Sequence, residues 1–200
     1  MYLVFDTETT GLPPRKKSVH SDYLQWPRIV QIAWNIYDTD LVSSTTHIIK
    51  PEGYTIPDEV VAIHGITNEM ALAEGIPIKT ALDEFYTALD NVGILVAHNL
   101  EFDVDCILSE TYRIGQKIPQ YRIKADKIRS KSHICTKLAS TNYCKIPNQF
   151  KSGYKWPRLD ELYLKLFDCS FENAHTADAD VDATNRCYVE LVKRGIIESR

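Results

Sequence analysis

Asp6 and Glu8 stand two residues apart behind a short apolar run, in Phe5-Asp6-Thr7-Glu8-Thr9-Thr10-Gly11-Leu12. Strand side chains two apart share a face, so both carboxylates project into one place. Like charges held close repel each other, and a divalent cation relieves that repulsion. A donor set made only of oxygen suits Mg²⁺ or Mn²⁺ rather than zinc. A second polar group, Ala97-His98-Asn99-Leu100-Glu101-Phe102-Asp103, again follows a short apolar run and places Asp103 in the first turn of a helix. The third, His175-Thr176-Ala177-Asp178-Ala179-Asp180-Val181-Asp182, opens the last helix with alternating acids behind a histidine. His175 and Asp180 lie slightly more than one turn apart. An imidazole titrating near neutrality beside a metal-bound acid makes an acid/base pair.

Each group alone also fits a plain structural role. Asp6 and Glu8 can cap a turn before Gly11. Asn99 can serve as an N-cap with Asp103 complementing the helix dipole, and the acids from Asp178 to Asp182 can do the same for the last helix. Taken together, the three groups put acids or a histidine at three strand or helix ends. Open α/β sheets place their sites at such ends.

The elements that must position these groups follow from pattern. Tyr2 to Phe5 reads as a buried strand, Ile29 to Tyr37 as a second and Val42 to Ile49 as a third, with Asp38 to Leu41 as a hairpin turn. Pro13 to Pro27 reads as a polar, basic loop containing Arg15-Lys16-Lys17. Ala81 to Leu89 has a helical period, with Thr80 and Asp83 as a capping box. Gly93 interrupts it, and Ile94 to Ala97 is a compact strand. Glu101 to Tyr112, Ile134 to Ala139, Leu159 to Phe167 and Thr176 to Lys193 read as helices. Asn142 to Pro157 reads as a long loop with basic and aromatic residues interleaved. The order predicts an α/β layout with a mixed sheet.

A chain of 200 residues is long enough to fold on its own core, and the whole of 1–200 reads as one domain. The net charge of −4 argues against a surface that coats long nucleic acid. Nucleic-acid contact should therefore be local, with cations offsetting the acidity. Five cysteines with no Cys-x-x-Cys pair, and no signal peptide or membrane span, point to reduced thiols in a cytoplasmic setting and to no membrane partner.

The ordered set of motifs resembles the DEDDh exonucleases, a family that includes the proofreading epsilon subunits of bacterial DNA polymerase III and ribonuclease T. Asp6 to Gly11 matches Asp-x-Glu-Thr-Thr-Gly, His98 to Asp103 matches His-Asn-x-x-Phe-Asp, and His175 to Asp180 matches His, four residues, then Asp. His64-Gly65-Ile66-Thr67 is similar to the stretch between the first two motifs, and the likeness runs from Leu3 to about Val192. It implies a ribonuclease H-like α/β fold, a central five-stranded mixed sheet flanked by helices. It also selects Asp180 from the third group by its spacing from His175.

The resemblance implies a 3′→5′ exonuclease. Asp6, Glu8, Asp103 and Asp180 would hold two divalent cations, Mg²⁺ or Mn²⁺, and His175 would take the proton from the attacking water. Thr9, Leu12, His64, His98 and Asn99 would contact the terminal nucleotide. The substrate implied is the 3′ end of single-stranded DNA, ahead of RNA, and the product is a nucleoside 5′-monophosphate, in proofreading, repair or degradation. A DNA polymerase or another replication or repair protein is the implied partner. The alternative is a non-catalytic nucleic-acid end-binding module or a polymerase-associated scaffold. The Lys145 to Arg158 loop, with Phe150, Tyr154 and Trp156, is expected to help hold the strand by charge and stacking.

Overall fold

Tyr2–Thr9 forms β1, and its alternation sorts the core into two layers. Leu3 and Phe5 point to one side, where they join Ile32 and Trp34 against Leu82, Phe85 and Ile107. Val4 points to the other, with Ala33 and Tyr37 against Val181, Cys187 and Leu191. Phe5 is fully buried, its ring tilted on Phe85 at 5.6 Å. Each side chain buried to this degree contributes about 1.5–3 kcal/mol.

The computed structural model describes residues 1–15, 18–149, 152–171 and 176–198. After β1 come β2 (Ile29–Tyr37), β3 (Leu41–Ile48), β4 (Ile94–Ala97) and β5 (Ser132–Cys135). They form one sheet in the order β3-β2-β1-β4-β5. β1 runs antiparallel to β2 and parallel to β4, which makes the sheet mixed. The helices are α1 (Val19–Asp22), α2 (Asp58–His64), α3 (Asn68–Glu74), α4 (Ile78–Ala88), α5 (Leu100–Lys117), α6 (Lys124–Arg129), α7 (Thr136–Cys144), α8 (Leu159–Phe167) and α9 (Ala177–Lys193). α4 and α5 cover one face of the sheet and α9 the other, which is why β2 is buried at every position. This is the five-stranded, helix-flanked sheet expected from sequence.

Several local expectations change. β1 does not stop at Phe5 but runs to Thr9, because β2 stays paired with it that far. Asp6 and Glu8 therefore lie within a strand. The helix expected over Ile134 to Ala139 begins only at Thr136. The open edge of β4 recruits the preceding residues as β5, pairing Ile134 with Val96. A short apolar run cannot choose between strand and helix by periodicity. The capping box at Thr80 and Asp83 is absent. α4 starts behind Pro77, and the Asp83 carboxylate instead pairs with Lys79 at 2.6 Å and Lys124 at 2.5 Å. The Pro13 to Pro27 loop contains α1, whose start is capped by Ser18, and the 142–157 segment begins inside α7. Lys16, Lys17 and Phe150 lie outside the described residues.

A buried carboxylate ties the segment before β2 to α5. Glu110, only 1% exposed, accepts from Arg28 Nε at 2.7 Å and pairs with Arg113 at 3.1 Å. Arg113 in turn donates to the Tyr23 and Trp26 carbonyls. All five cysteines are free thiols, and among the described residues no helix is long and apolar enough to cross a membrane.

Candidate functional site

Three elements deliver acids to one point. Asp6 and Glu8 share the face of β1 that α9 covers, and α9 brings Asp180 in its first turn. One carboxylate oxygen from each of Asp6, Glu8 and Asp180 lies within 4.8 Å of the other two. A register shift between β1 and β2 falls at Glu8 and Thr9, beside this point. Such irregularities re-aim side chains where a sheet carries a site.

Asp103 approaches along the edge of β1. β4 pairs with β1 only over Tyr2–Val4, so the backbone beyond lacks a neighbour on that side. The Asp103 carboxylate fills the gap, accepting from the Thr7 amide at 3.1 Å and the Thr7 hydroxyl at 2.7 Å. It is 2% exposed. Thr7 is a residue that motif reading passes over, because alternation points it away from Asp6 and Glu8.

The electrostatics of this cluster are unfavourable as it stands. At 4.8 Å and an effective dielectric constant near 20, two carboxylates repel by about 3.5 kcal/mol. Burial, and then the charges of Asp103, Asp180 and Glu8, push Asp6 well above the ordinary carboxylate range. Burial, then Asp180 and Asp103, push Glu8 up to about 8. Burial pushes Asp103 up to about 7 against the lowering effect of its Thr7 hydrogen bonds. Such a cluster is relieved either by protons or by a cation. Its donors are all carboxylate oxygens, which suits a hard divalent ion such as Mg²⁺ or Mn²⁺.

The start of α9 is fixed from β2. Gln31, opposite Glu8 in the sheet, accepts from the Ala177 amide at 2.9 Å. Further along, Asn35 donates to Asp182 at 2.8 Å and Tyr2 to Asn185 at 2.9 Å. These contacts set the rotation of α9 that turns Asp180 toward Asp6. Gln31 and Asn35 carry no motif signal, since they read as ordinary interior positions of a strand. His175 lies outside the described residues.

Next to the acids is a cleft of about 220 Å³ lined by Glu8, Thr9, Leu12, Ile63, His64 and Phe102, among others. Thr9 shapes its rim by donating from its hydroxyl to the Gly11 carbonyl at 2.8 Å. Leu12 is 89% exposed. His64 closes α2 and is buried. Its Nδ1 accepts from the Ile66 amide at 3.1 Å, while its buried Nε2 makes no hydrogen bond among the described residues. Burial lowers its pKa, so the ring is neutral with the proton on Nε2.

The second motif divides its labour differently from the expectation. Both His98 ring nitrogens are engaged inside the protein, Nδ1 with the Thr136 hydroxyl at 2.9 Å and Nε2 with the Pro157 carbonyl at 3.1 Å. Burial lowers its pKa to about 4, so Nε2–H donates to Pro157 and Nδ1 accepts from Thr136. That leaves neither ring nitrogen for a nucleotide. Asn99 does not cap α5 with its side chain. It adopts a left-handed conformation, φ 77°, and its Oδ1 accepts from Lys137. Asn99 lines a larger neighbouring cleft and not the small one.

A family model described as "Exonuclease" (RNase_T) matches residues 3–188. The chain belongs to this exonuclease family. Among its relatives, the 3′-5′ exonuclease DinG of Bacillus subtilis is 25% identical over 194 residues, covering 96% of this chain and 18% of DinG. The DNA polymerase III subunit epsilon of Buchnera aphidicola is 33% identical over 58% of this chain and 46% of that subunit. Exonuclease I superposes with a TM-score of 0.71 at 21% identity, over 96% of this chain and 40% of that one. A zinc-bound form of the E. coli exonuclease I complex with single-stranded DNA gives a TM-score of 0.70 at 23% identity, with the same two coverages. This exonuclease-family chain thus spans less than half the length of these relatives.

Proposed function

We propose that the chain is a metal-dependent 3′→5′ exonuclease domain, spanning residues 1–200, that releases nucleoside 5′-monophosphates from the 3′ end of single-stranded nucleic acid. The observation that carries this reading is the convergence of Asp6, Glu8 and Asp180 within 4.8 Å, beside a nucleotide-sized cleft. Asp6, Glu8, Asp103 and Asp180 are the residues that would hold two divalent cations, Mg²⁺ or Mn²⁺. Bound there, such ions offset the charge of the phosphodiester and make water more acidic.

The chain's own groups account for the rest. Thr9, Leu12 and His64, which line the small cleft, receive the terminal nucleotide. Thr7 keeps Asp103 ionisable. His175 accepts the proton of the water that attacks phosphorus. The new P–O bond forms as the bond to the 3′-oxygen of the preceding nucleotide breaks, and that oxygen takes a proton from solvent water to leave as the 3′-hydroxyl. His98 and Asn99 act here by holding the turn after β4.

DNA is favoured over RNA because the relatives' names speak of DNA polymerase and single-stranded DNA. The same names make a DNA polymerase the partner to test first. The experiment is digestion of 5′-labelled single-stranded DNA, single-stranded RNA and mismatched duplex, each with Mg²⁺, Mn²⁺ or EDTA. A ladder shortening from the 3′ end, abolished by EDTA, is the expected result. Absence of mononucleotide release under every metal condition overturns the reading.

A further inference from the structure

Beside the acidic site lies a second cleft, of about 660 Å³, whose walls include Leu12 and Pro14 on one side and Leu138 and Trp156 on the other. Leu12 and Phe102 border both clefts, so the two adjoin. The apolar walls are open to water. Trp156 is 62% exposed and Leu138 54%.

Exposed though it is, the indole is held firmly. Lys137 Nζ sits 4.6 Å from the centre of the Trp156 ring and donates to Asn99. One residue on, the Pro157 carbonyl is bonded to His98. Both tethers run to the turn that begins α5, the helix carrying Asp103. An aromatic face is thus pre-positioned relative to the acids while remaining free to stack. Glu101, Asp105 and Lys137 also line this cleft, so charges of both signs border its apolar walls. Flat, uncharged rings are what the walls suit.

We infer that the Trp156 indole is the stacking platform for the nucleobase immediately 5′ of the terminal nucleotide, with Leu12 as the opposing wall. This deepens the exonuclease reading and rests on it. A strand whose terminal base occupies the small cleft runs on past Leu12 into the larger one. Stacking on an aromatic face tolerates any base, so the platform selects for an unpaired base rather than for sequence.

The test uses the full chain with two variants, Trp156→Ala and Trp156→Phe. A deoxyoligonucleotide carrying 2-aminopurine second from its 3′ end reports stacking by fluorescence quenching, measured in Ca²⁺. Turnover in Mn²⁺ is compared between an oligothymidylate and thymidine 5′-(p-nitrophenyl phosphate), which has no upstream base. The expected result is quenching by the wild type and by W156F that is lost in W156A. The ratio of kcat/KM for the oligonucleotide over the nitrophenyl ester should also fall by about tenfold in W156A. Equal quenching by wild type and W156A, or an equal change on both substrates, overturns the assignment. If the wild type hydrolyses neither substrate, the exonuclease reading fails, and the quenching result still decides the stacking platform on its own.

Discussion

Replacing Thr7 by Val removes one hydroxyl from a fully packed position and leaves the volume nearly unchanged. The hydroxyl lost is the one 2.7 Å from the Asp103 carboxylate. A hydrogen bond to a charged group is worth about 1.5–3 kcal/mol. At 1.36 kcal/mol per unit, its loss raises the Asp103 pKa by about one to two units from its starting point of about 7. The surviving amide bond from Thr7, at 3.1 Å, keeps the effect toward the lower end. A cation must displace that proton, so its apparent affinity at pH 7 falls by about 5- to 50-fold. By pH 9 Asp103 ionises more readily in both proteins and the penalty shrinks. Calorimetric titration with Mn²⁺ at both pH values, on wild type, T7V and T7S, reads this directly. T7S keeps the hydroxyl and should bind nearly as the wild type does. Wild-type affinity in T7V at pH 7, or the same penalty at both pH values, would refute the role given to Thr7.

Three further outcomes follow from the same geometry. Asp6, Glu8 and Asp103 have raised pKa values when folded, Glu8 moving from 4.5 to about 8. The folded state therefore binds more protons than the unfolded one between about pH 4.5 and 8, and the metal-free protein loses stability as pH rises across that window. Mn²⁺ at about a hundred times its Kd restores about 2.7 kcal/mol, so melting curves with EDTA and with Mn²⁺ should diverge toward alkaline pH. Curves that stay parallel across that range count against the cluster. Gln31→Leu strips the Ala177 amide of its acceptor. It should destabilise the protein by about 1–3 kcal/mol in urea titrations and weaken Mn²⁺ binding as Asp180 loses its fixed position; unaltered values in both assays contradict the anchoring role. His175→Ala should bind Mn²⁺ normally but release mononucleotide about 10²–10⁴-fold more slowly, and full turnover in this variant at neutral pH would remove His175 as the base.

The parts of the fold that were legible in the sequence are those fixed by local pattern over many residues. β2 is a run of branched and aromatic side chains, and α9 repeats apolar positions from Ala177 to Leu191. β5 was not legible because its strand character comes from the edge of β4, distant in sequence. The acids themselves stood out as ordered motifs, and Asp6, Glu8 and Asp180 do meet. The residues that place them did not stand out. Thr7 acts through a backbone gap that exists only where β4 turns away, and Gln31 acts through helix packing across the sheet. His98 shows the converse. A motif residue that reads as a substrate contact has both nitrogens committed, Nδ1 to Thr136 at the start of α7 and Nε2 to Pro157 beyond it.

The most direct measurement is anomalous scattering from a crystal soaked in Mn²⁺. The prediction is strong density bounded by the carboxylates of Asp6, Glu8 and Asp180, with Asp103 at its border. A well-ordered crystal with these side chains in place, at millimolar Mn²⁺ and neutral pH, and with no anomalous peak among them, would contradict the claim that this cluster exists to hold catalytic cations.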